Sequence, residues 1–172
     1  MDLKTFIKDV PDYPKAGIVF KDITPLLADK AAFNFAINQF AEKFSGQNVD
    51  AVVGIDARGF LLAAPVAYKL GAGLAIARKS GKLPRQCLRQ DYILEYASNS
   101  LEMHADAILP GQKILIIDDV LATGGTMEAT GKLVQKMGGD IVGIGFLMEL
   151  KFLQGREKLK NYNIYSLLSY SK

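Results

Sequence analysis

The stretch Lys113-Ile114-Leu115-Ile116-Ile117-Asp118-Asp119-Val120-Leu121-Ala122-Thr123-Gly124-Gly125-Thr126 decides how this chain folds. Residues 114–117 are branched aliphatics without polar alternation, the pattern of a strand buried on both faces in a parallel sheet. Asp118 to Gly125 reads as the loop after that strand. Thr126 to Met137 reads as a helix, with Met127, Leu133, Val134 and Met137 on one side. The glycine pair lets the backbone turn tightly and approach a ligand. The helix start offers unpaired N–H groups, and the Thr123 and Thr126 hydroxyls add donors, so an anion such as phosphate fits there. Asp118 and Asp119 would repel a phosphate, but they suit sugar hydroxyls or a hydrated Mg²⁺. Together the two halves describe a site for a ribose phosphate. The alternative is a ligand-free turn capped by Asp or Thr.

The neighbouring segments extend the same pattern. Upstream lie a strand over Val49 to Ile55, the turn Asp56-Ala57-Arg58-Gly59, a helix from Phe60 to Leu70 interrupted by Pro65 and closed by Gly71, and a strand over Leu74 to Ala77. Downstream, Gly138-Gly139 ends the helix, and strands follow at Ile141 to Leu150 and Ile164 to Leu168, separated by a charge run at 155–160 read as a solvated turn or helix. This alternation predicts an α/β fold, a mostly parallel twisted sheet with helices on both faces and ligands beyond the carboxyl ends of the strands. Phe33, Ile37, Phe40 and Phe44 predict an earlier helix with one inward stripe, stopped by Ser45-Gly46-Gln47-Asn48. Pro11, Pro14 and Pro25 make the first residues an extended cover outside the core. From Pro84 to Ile108 no helical period emerges, although Tyr92 to Tyr96 suits a hairpin strand. So long a segment without firm structure is either functional or disordered.

Composition narrows the function. With 172 residues, 49% of them hydrophobic and 23% charged, the chain has the make-up of one soluble domain. Its net charge of +3 is too small for a dedicated nucleic-acid binder. A single cysteine, Cys87, and a single histidine, His104, form neither an intrachain disulfide nor a His/Cys zinc site, and they point to a reducing, cytoplasmic setting. No leader or membrane span is evident. Lys132-Leu133 lacks the Ser or Thr of a Walker A loop, and neither Gly71-Ala72-Gly73 nor Gly143-Ile144-Gly145 completes a dinucleotide fingerprint.

Ile114 to Thr126 resembles the phosphoribosyl-pyrophosphate signature of type I phosphoribosyltransferases. Pro11-Asp12-Tyr13-Pro14, Gly17 to Pro25, Asp56 to Phe60, Arg78 to Pro84 and Leu94-Glu95-Tyr96 resemble, in order and spacing, the members of that family that act on adenine. Lys21, Ser80 and Ala97 depart from the usual pattern. The resemblance implies one domain over residues 1–172, with a base-binding hood over 1–30 and a flexible lid over 78–106. The implied reaction is adenine plus phosphoribosyl pyrophosphate giving AMP and pyrophosphate, with Mg²⁺ carried on the substrate and no dedicated protein metal site. By the same resemblance Ala122, Thr123, Gly124, Gly125 and Thr126 hold the 5′-phosphate, and Asp118 and Asp119 face the ribose. Ala57, Arg58 and Gly59 grip pyrophosphate, joined by Arg78 and Lys82 as the lid closes. Glu95 serves as general acid and base, supported by Tyr96. The backbones of Val19 and Lys21 read the base, and Phe20 stacks on it. A non-proline cis peptide in the Ala57-Arg58 region and a homodimer belong to the same picture. Taken singly, Arg58 also suits a surface site, Lys79 a solvated loop and Phe20 a core position. A non-catalytic regulator that keeps the ribose-phosphate pocket, or a transferase for another purine, remains open.

Overall fold

The computed structural model describes residues 1–94 and 97–171. In chain order its elements are β1 (Lys8–Pro11), β2 (Val19–Asp22), α1 (Thr24–Ala28), α2 (Lys30–Phe44), β3 (Ala51–Ile55), α3 (Arg58–Leu70), β4 (Gly73–Lys79), β5 (Cys87–Leu94), β6 (Ala97–His104), β7 (Lys113–Leu121), α4 (Gly125–Lys136), β8 (Asp140–Leu150) and β9 (Ile164–Tyr170). A seven-stranded sheet runs β5-β6-β4-β3-β7-β8-β9, and β1 pairs with β2 in a separate ribbon. From β4 to β9 the neighbours are parallel, while the β5–β6 hairpin joins antiparallel at the edge.

The aliphatic run of β7 explains the layering. Ile114 and Ile116 face a core shared with Met127, Leu133 and Val134 of α4, while Leu115 and Ile117 face one shared with Phe40, Phe44, Leu62 and Val66 of α2 and α3. Successive residues of a strand point to opposite faces, so an unbroken apolar run needs helices on both. That layering is as expected from sequence, and α3 and α4 fall within two residues of their expected bounds, while α2 begins at Lys30, ahead of its Phe33 stripe, and the short α1 was not expected. Pro65 sits inside α3, and Leu61, whose carbonyl loses its helical partner, lies on the exposed side.

Four expectations are corrected. First, β7 continues through Asp118 and Asp119 to Leu121, because β8 runs on beside it and pairs Asp118 with Phe146 and Leu121 with Glu149. The carboxylates therefore belong to a strand, and only residues 122–124 form the connection. Second, residues 84–108 hold the β5–β6 hairpin, whose inward positions Leu101 and Met103 are buried with period two, which a search for helical period overlooks. Third, the proline-rich start contributes to the core, since Leu3, Ile23 and Leu26 are buried against the α2 and α3 side. Fourth, the charge run at 155–160 buries Gly155 and Leu159.

Candidate active site

The connection after β7 meets α4 at Gly124, whose φ of +80° places it in the left-handed region that glycine adopts without strain. Among the described residues no side chain caps α4, whereas Asp29 caps α2 by accepting from Ala31 N and Ala32 N at 2.9 and 2.8 Å. The first amides of α4 thus lack the cap that a mere turn would supply, and a helix start carries positive potential. Residues 122–127 with Leu121 and Phe146 enclose a cavity of about 70 Å³ there, small enough for a single anionic group.

A second cavity, of about 350 Å³, adjoins it through Asp118, Val120 and Thr126 and is walled by Ala57, Arg58, Lys79 and Tyr92. Asp119 is 5% exposed, and its Oδ2 lies 2.8 Å from Arg58 Nε. The contact is an ion pair without hydrogen-bond alignment, so that buried oxygen accepts no hydrogen bond among the described residues. Among the described residues Asp118 makes no ion pair, and the Arg58 charge acts on it only as a minor influence. Burial, and then the like charge of Asp119, push its carboxyl well above the usual carboxylate range. Burial raises Asp119 too, opposed chiefly by the Arg58 guanidinium. Gly59 makes the geometry possible, because a Cβ there would lie 2.8 Å from Asp118 Oδ1.

The end of β4 supplies further cations. Arg78 Nε donates to Asp56 Oδ2 at 3.0 Å, and its terminal nitrogen reaches Lys82 O at 3.4 Å. Asp56 and Ala57 are joined by a non-proline cis peptide, at the margin of the Ala57-Arg58 region where the resemblance implies one. Ser80 Oγ and Gly81 N both donate to Glu102 on β6, holding that carboxyl below its usual range. Lys79 is exposed and also lines the larger cavity, an arrangement consistent with the solvated role open to it from sequence. Lys82 is exposed and lines neither cavity. Glu95 and Tyr96 lie outside the described residues.

On the ribbon side, the Arg58 guanidinium carbon sits 4.7 Å from the Phe20 ring centroid, and Tyr13 meets Phe20 edge-on at 5.2 Å. Phe20 is therefore half-buried against the site rather than a core residue. The Lys21 side chain turns away to Asp9 Oδ1 at 2.7 Å and to the Tyr170 ring at 4.3 Å, so its ammonium is engaged elsewhere while Val19, Phe20 and Lys21 stay in one short strand. Arg58 thus joins two of the expected groups, the Asp119 carboxylate and the stacking ring, and shares the larger cavity with Thr126 of the anion loop. Sequence reasoning overlooked Asp56 and Glu102 as anchors. Each is an acid opposite a cation or hydroxyl distant in sequence, a pairing visible only once β3 and β6 lie on either side of β4.

Residues 23–170 match the phosphoribosyl transferase domain family, and the chain belongs to that family and is a pentosyltransferase. The match takes in the strand, carboxylate pair and glycine loop described above. Within the family it is similar to the adenine phosphoribosyltransferase of Thermoanaerobacter pseudethanolicus, with 50% identity, 98% of each chain covered and a TM-score of 0.96. It is also similar to that of Rhodothermus marinus, at 48% identity, TM-score 0.94 and coverage of 98% of this chain and 96% of that one. The Saccharomyces cerevisiae enzyme, whose structure is complexed with an imino-altritol bisphosphate and adenine, is 36% identical over 97% of each chain with a TM-score of 0.93.

Proposed function

We propose that this protein transfers the phosphoribosyl group of phosphoribosyl pyrophosphate to adenine, forming AMP and pyrophosphate. The observation that carries the reading is the uncapped start of α4 beside the Asp118-Asp119 pair and Arg58, which offers a phosphate cradle, hydroxyl acceptors and a pyrophosphate cation in adjoining cavities. The bond from the anomeric carbon to pyrophosphate breaks as adenine N9 forms its bond there, and the N9 proton is released. Positive charge rises on the ribose ring, which Asp118 and Asp119 face, while negative charge on the departing pyrophosphate meets Arg58 and Arg78. Phe20 stacks on the base, the backbones of Val19 and Lys21 read its edge, and Glu95, with Tyr96 beside it, exchanges a proton at N7. Residues 1–30 act as the hood, and residues 78–106 close as a lid that brings Lys82 to the pyrophosphate.

Among the described residues no group of three or more His, Cys, Asp and Glu converges to hold a metal. The two adjacent carboxylates, with Asp118 outside any ion pair among the described residues, fit a hydrated Mg²⁺ that arrives on the substrate. When bound, the ion neutralises the leaving pyrophosphate. Among the described residues no helix is long and apolar enough to cross a membrane. The lone thiol of Cys87 supports a cytoplasmic setting. A homodimer fits the outer face of α3, where Leu61 and Tyr68 are 49% and 87% exposed near Leu74 at 50%. Sedimentation is expected to give twice the chain mass, and a monomer at micromolar concentration would remove the dimer.

The activity is tested by offering adenine, hypoxanthine, guanine and xanthine separately with phosphoribosyl pyrophosphate and Mg²⁺, and measuring nucleotide formed. AMP is expected to dominate. Each reversed hydrogen bond of a 6-oxopurine costs about 1–3 kcal/mol when buried unpaired, or roughly tenfold to a hundredfold in rate. Glu95→Gln is expected to lower kcat about a hundredfold with little change in the adenine KM. IMP or GMP as the main product would overturn the base assignment.

A further inference from the structure

Beneath the phosphate loop lies a brace from a distant part of the chain. Gly155 is buried and so close to the loop that a Cβ on it would collide with the Ala122 carbonyl oxygen and stand 2.9 Å from Leu121 Cδ1. From the opposite side, a Cβ on Gly124 would stand 2.5 Å from Gly155 O. The two backbones therefore touch with no room for a side chain between them. Leu159, fully buried at the end of the same short turn, packs in the core that holds Leu121 and Met127.

An ion pair holds the brace to the sheet. Glu149, near the end of β8, is 5% exposed and accepts from Arg156 Nε at 2.7 Å, and Arg156 also reaches Ser166 Oγ on β9 at 3.4 Å. Glu149 is paired in register with Leu121, the last strand residue before the loop. The pair thus fixes Gly155 at the level where the phosphate loop departs.

We propose that Glu149 and Arg156 are positioning residues for the phosphate loop, setting its amides for the substrate phosphate by pressing Gly155 against Ala122 and Gly124. A loop of alanine, threonine and glycines has few side-chain contacts of its own to fix its shape, so its shape is set from below. An ion pair between a buried carboxylate and an exposed guanidinium contributes little net stability, because water screens one partner and desolvation of the other offsets the attraction. Its directionality suits placement, since Arg156 Nε points at the Glu149 carboxylate and Gly155 immediately precedes Arg156.

The inference rests on residues 122–126 being the phosphate site, and the experiment separates the two. Ribose 5-phosphate binding is measured by calorimetry, alongside initial rates, for the parent protein, for the double variant Glu149→Gln with Arg156→Gln, and for Gly155→Ala. The double change leaves neither charge buried alone, and Gly155→Ala carries the test if the double variant does not fold. Displacing the loop by a fraction of an ångström is expected to raise both the ribose 5-phosphate Kd and the KM for phosphoribosyl pyrophosphate about tenfold or more. The adenine KM should stay within about twofold, and Arg156→Lys, which keeps the charge, should recover part of the loss. Folded variants that bind ribose 5-phosphate as tightly as the parent would overturn the positioning role. A parent protein that fails to bind ribose 5-phosphate would instead overturn the phosphate site itself, and the positioning role with it.

Discussion

Replacing Asp118 and Asp119 together by Asn is expected to lower kcat about a thousandfold, the scale on which aligned charges act on a developing transition state. The reason lies in what the two carboxylates face. Asp119 has a buried oxygen 2.8 Å from Arg58 that accepts no hydrogen bond among the described residues, and Asp118 is held beside it by the absent side chain of Gly59. Such charges are costly to the folded protein and useful only when a cationic ring arrives. The same argument fixes a stability effect for Asp118→Asn alone. The Asp118 carboxyl titrates well above the usual range in the folded chain, so the folded state holds that proton more tightly than the unfolded one. Its penalty on stability is absent below the unfolded carboxylate value, about pH 4, and grows as pH rises through that value toward the folded one. At pH 7 the variant is therefore expected to melt higher, by about 2–4 °C for each kcal/mol relieved, and below about pH 4 the gain should vanish. Thermal unfolding at the two pH values, beside a single-turnover rate, checks both halves. Undiminished turnover in the double variant would remove the carboxylates from the chemistry.

Arg58→Ala is expected to cut kcat/KM for phosphoribosyl pyrophosphate about a hundredfold, with pyrophosphate product inhibition weakened in proportion. Arg58 lies between the carboxylate pair and the Phe20 ring, its Nε at Asp119 and its guanidinium carbon 4.7 Å from the ring centroid. Nε makes the contact with Asp119, and the terminal nitrogens can fork onto a phosphate. Losing it also removes the chief influence that opposes the raised Asp119 titration, so the acid limb of the pH–rate profile should move to higher pH. Arg58→Lys should recover only part of the activity, because an ammonium does not fork. An Arg58→Ala enzyme with unchanged pyrophosphate inhibition would return Arg58 to a structural part, as a cation that merely neutralises Asp119.

The layers were legible because the run at 114–117 and the stripe of Phe40 and Phe44 each encode one periodicity that core packing then satisfies. The glycine turn into α4 was legible because glycines and a helix start carry their signals locally. What escaped was non-local. The strand status of Asp118 and Asp119 depends on how far β8 extends beside β7, which neither segment states alone. The burial of Ile23 and Leu26 beneath a proline-rich stretch depends on α2 and α3 leaving space for them. Gly155 reads as part of a charge run, and its tightness follows only from the approach of a second backbone. Lys21, conspicuous as a departure from the family pattern, is explained by Asp9 and Tyr170, one nearby in sequence and one near the far end of the chain.

That last contact bears on how the molecule opens. The strand carrying Phe20 is tied by Lys21 to the ring of Tyr170, and Lys4 lies 5.3 Å from the same ring. Closing a contact between opposite ends of the chain costs more entropy than closing the shorter loop between Ala122 and Gly155, and the ribbon has only two strands. Local fluctuations should therefore release the β1–β2 ribbon before they disturb the turn into α4. In hydrogen exchange the amides of residues 8–22 would trade before those of β7, so the half of the site proposed to discriminate among bases is also the half expected to breathe.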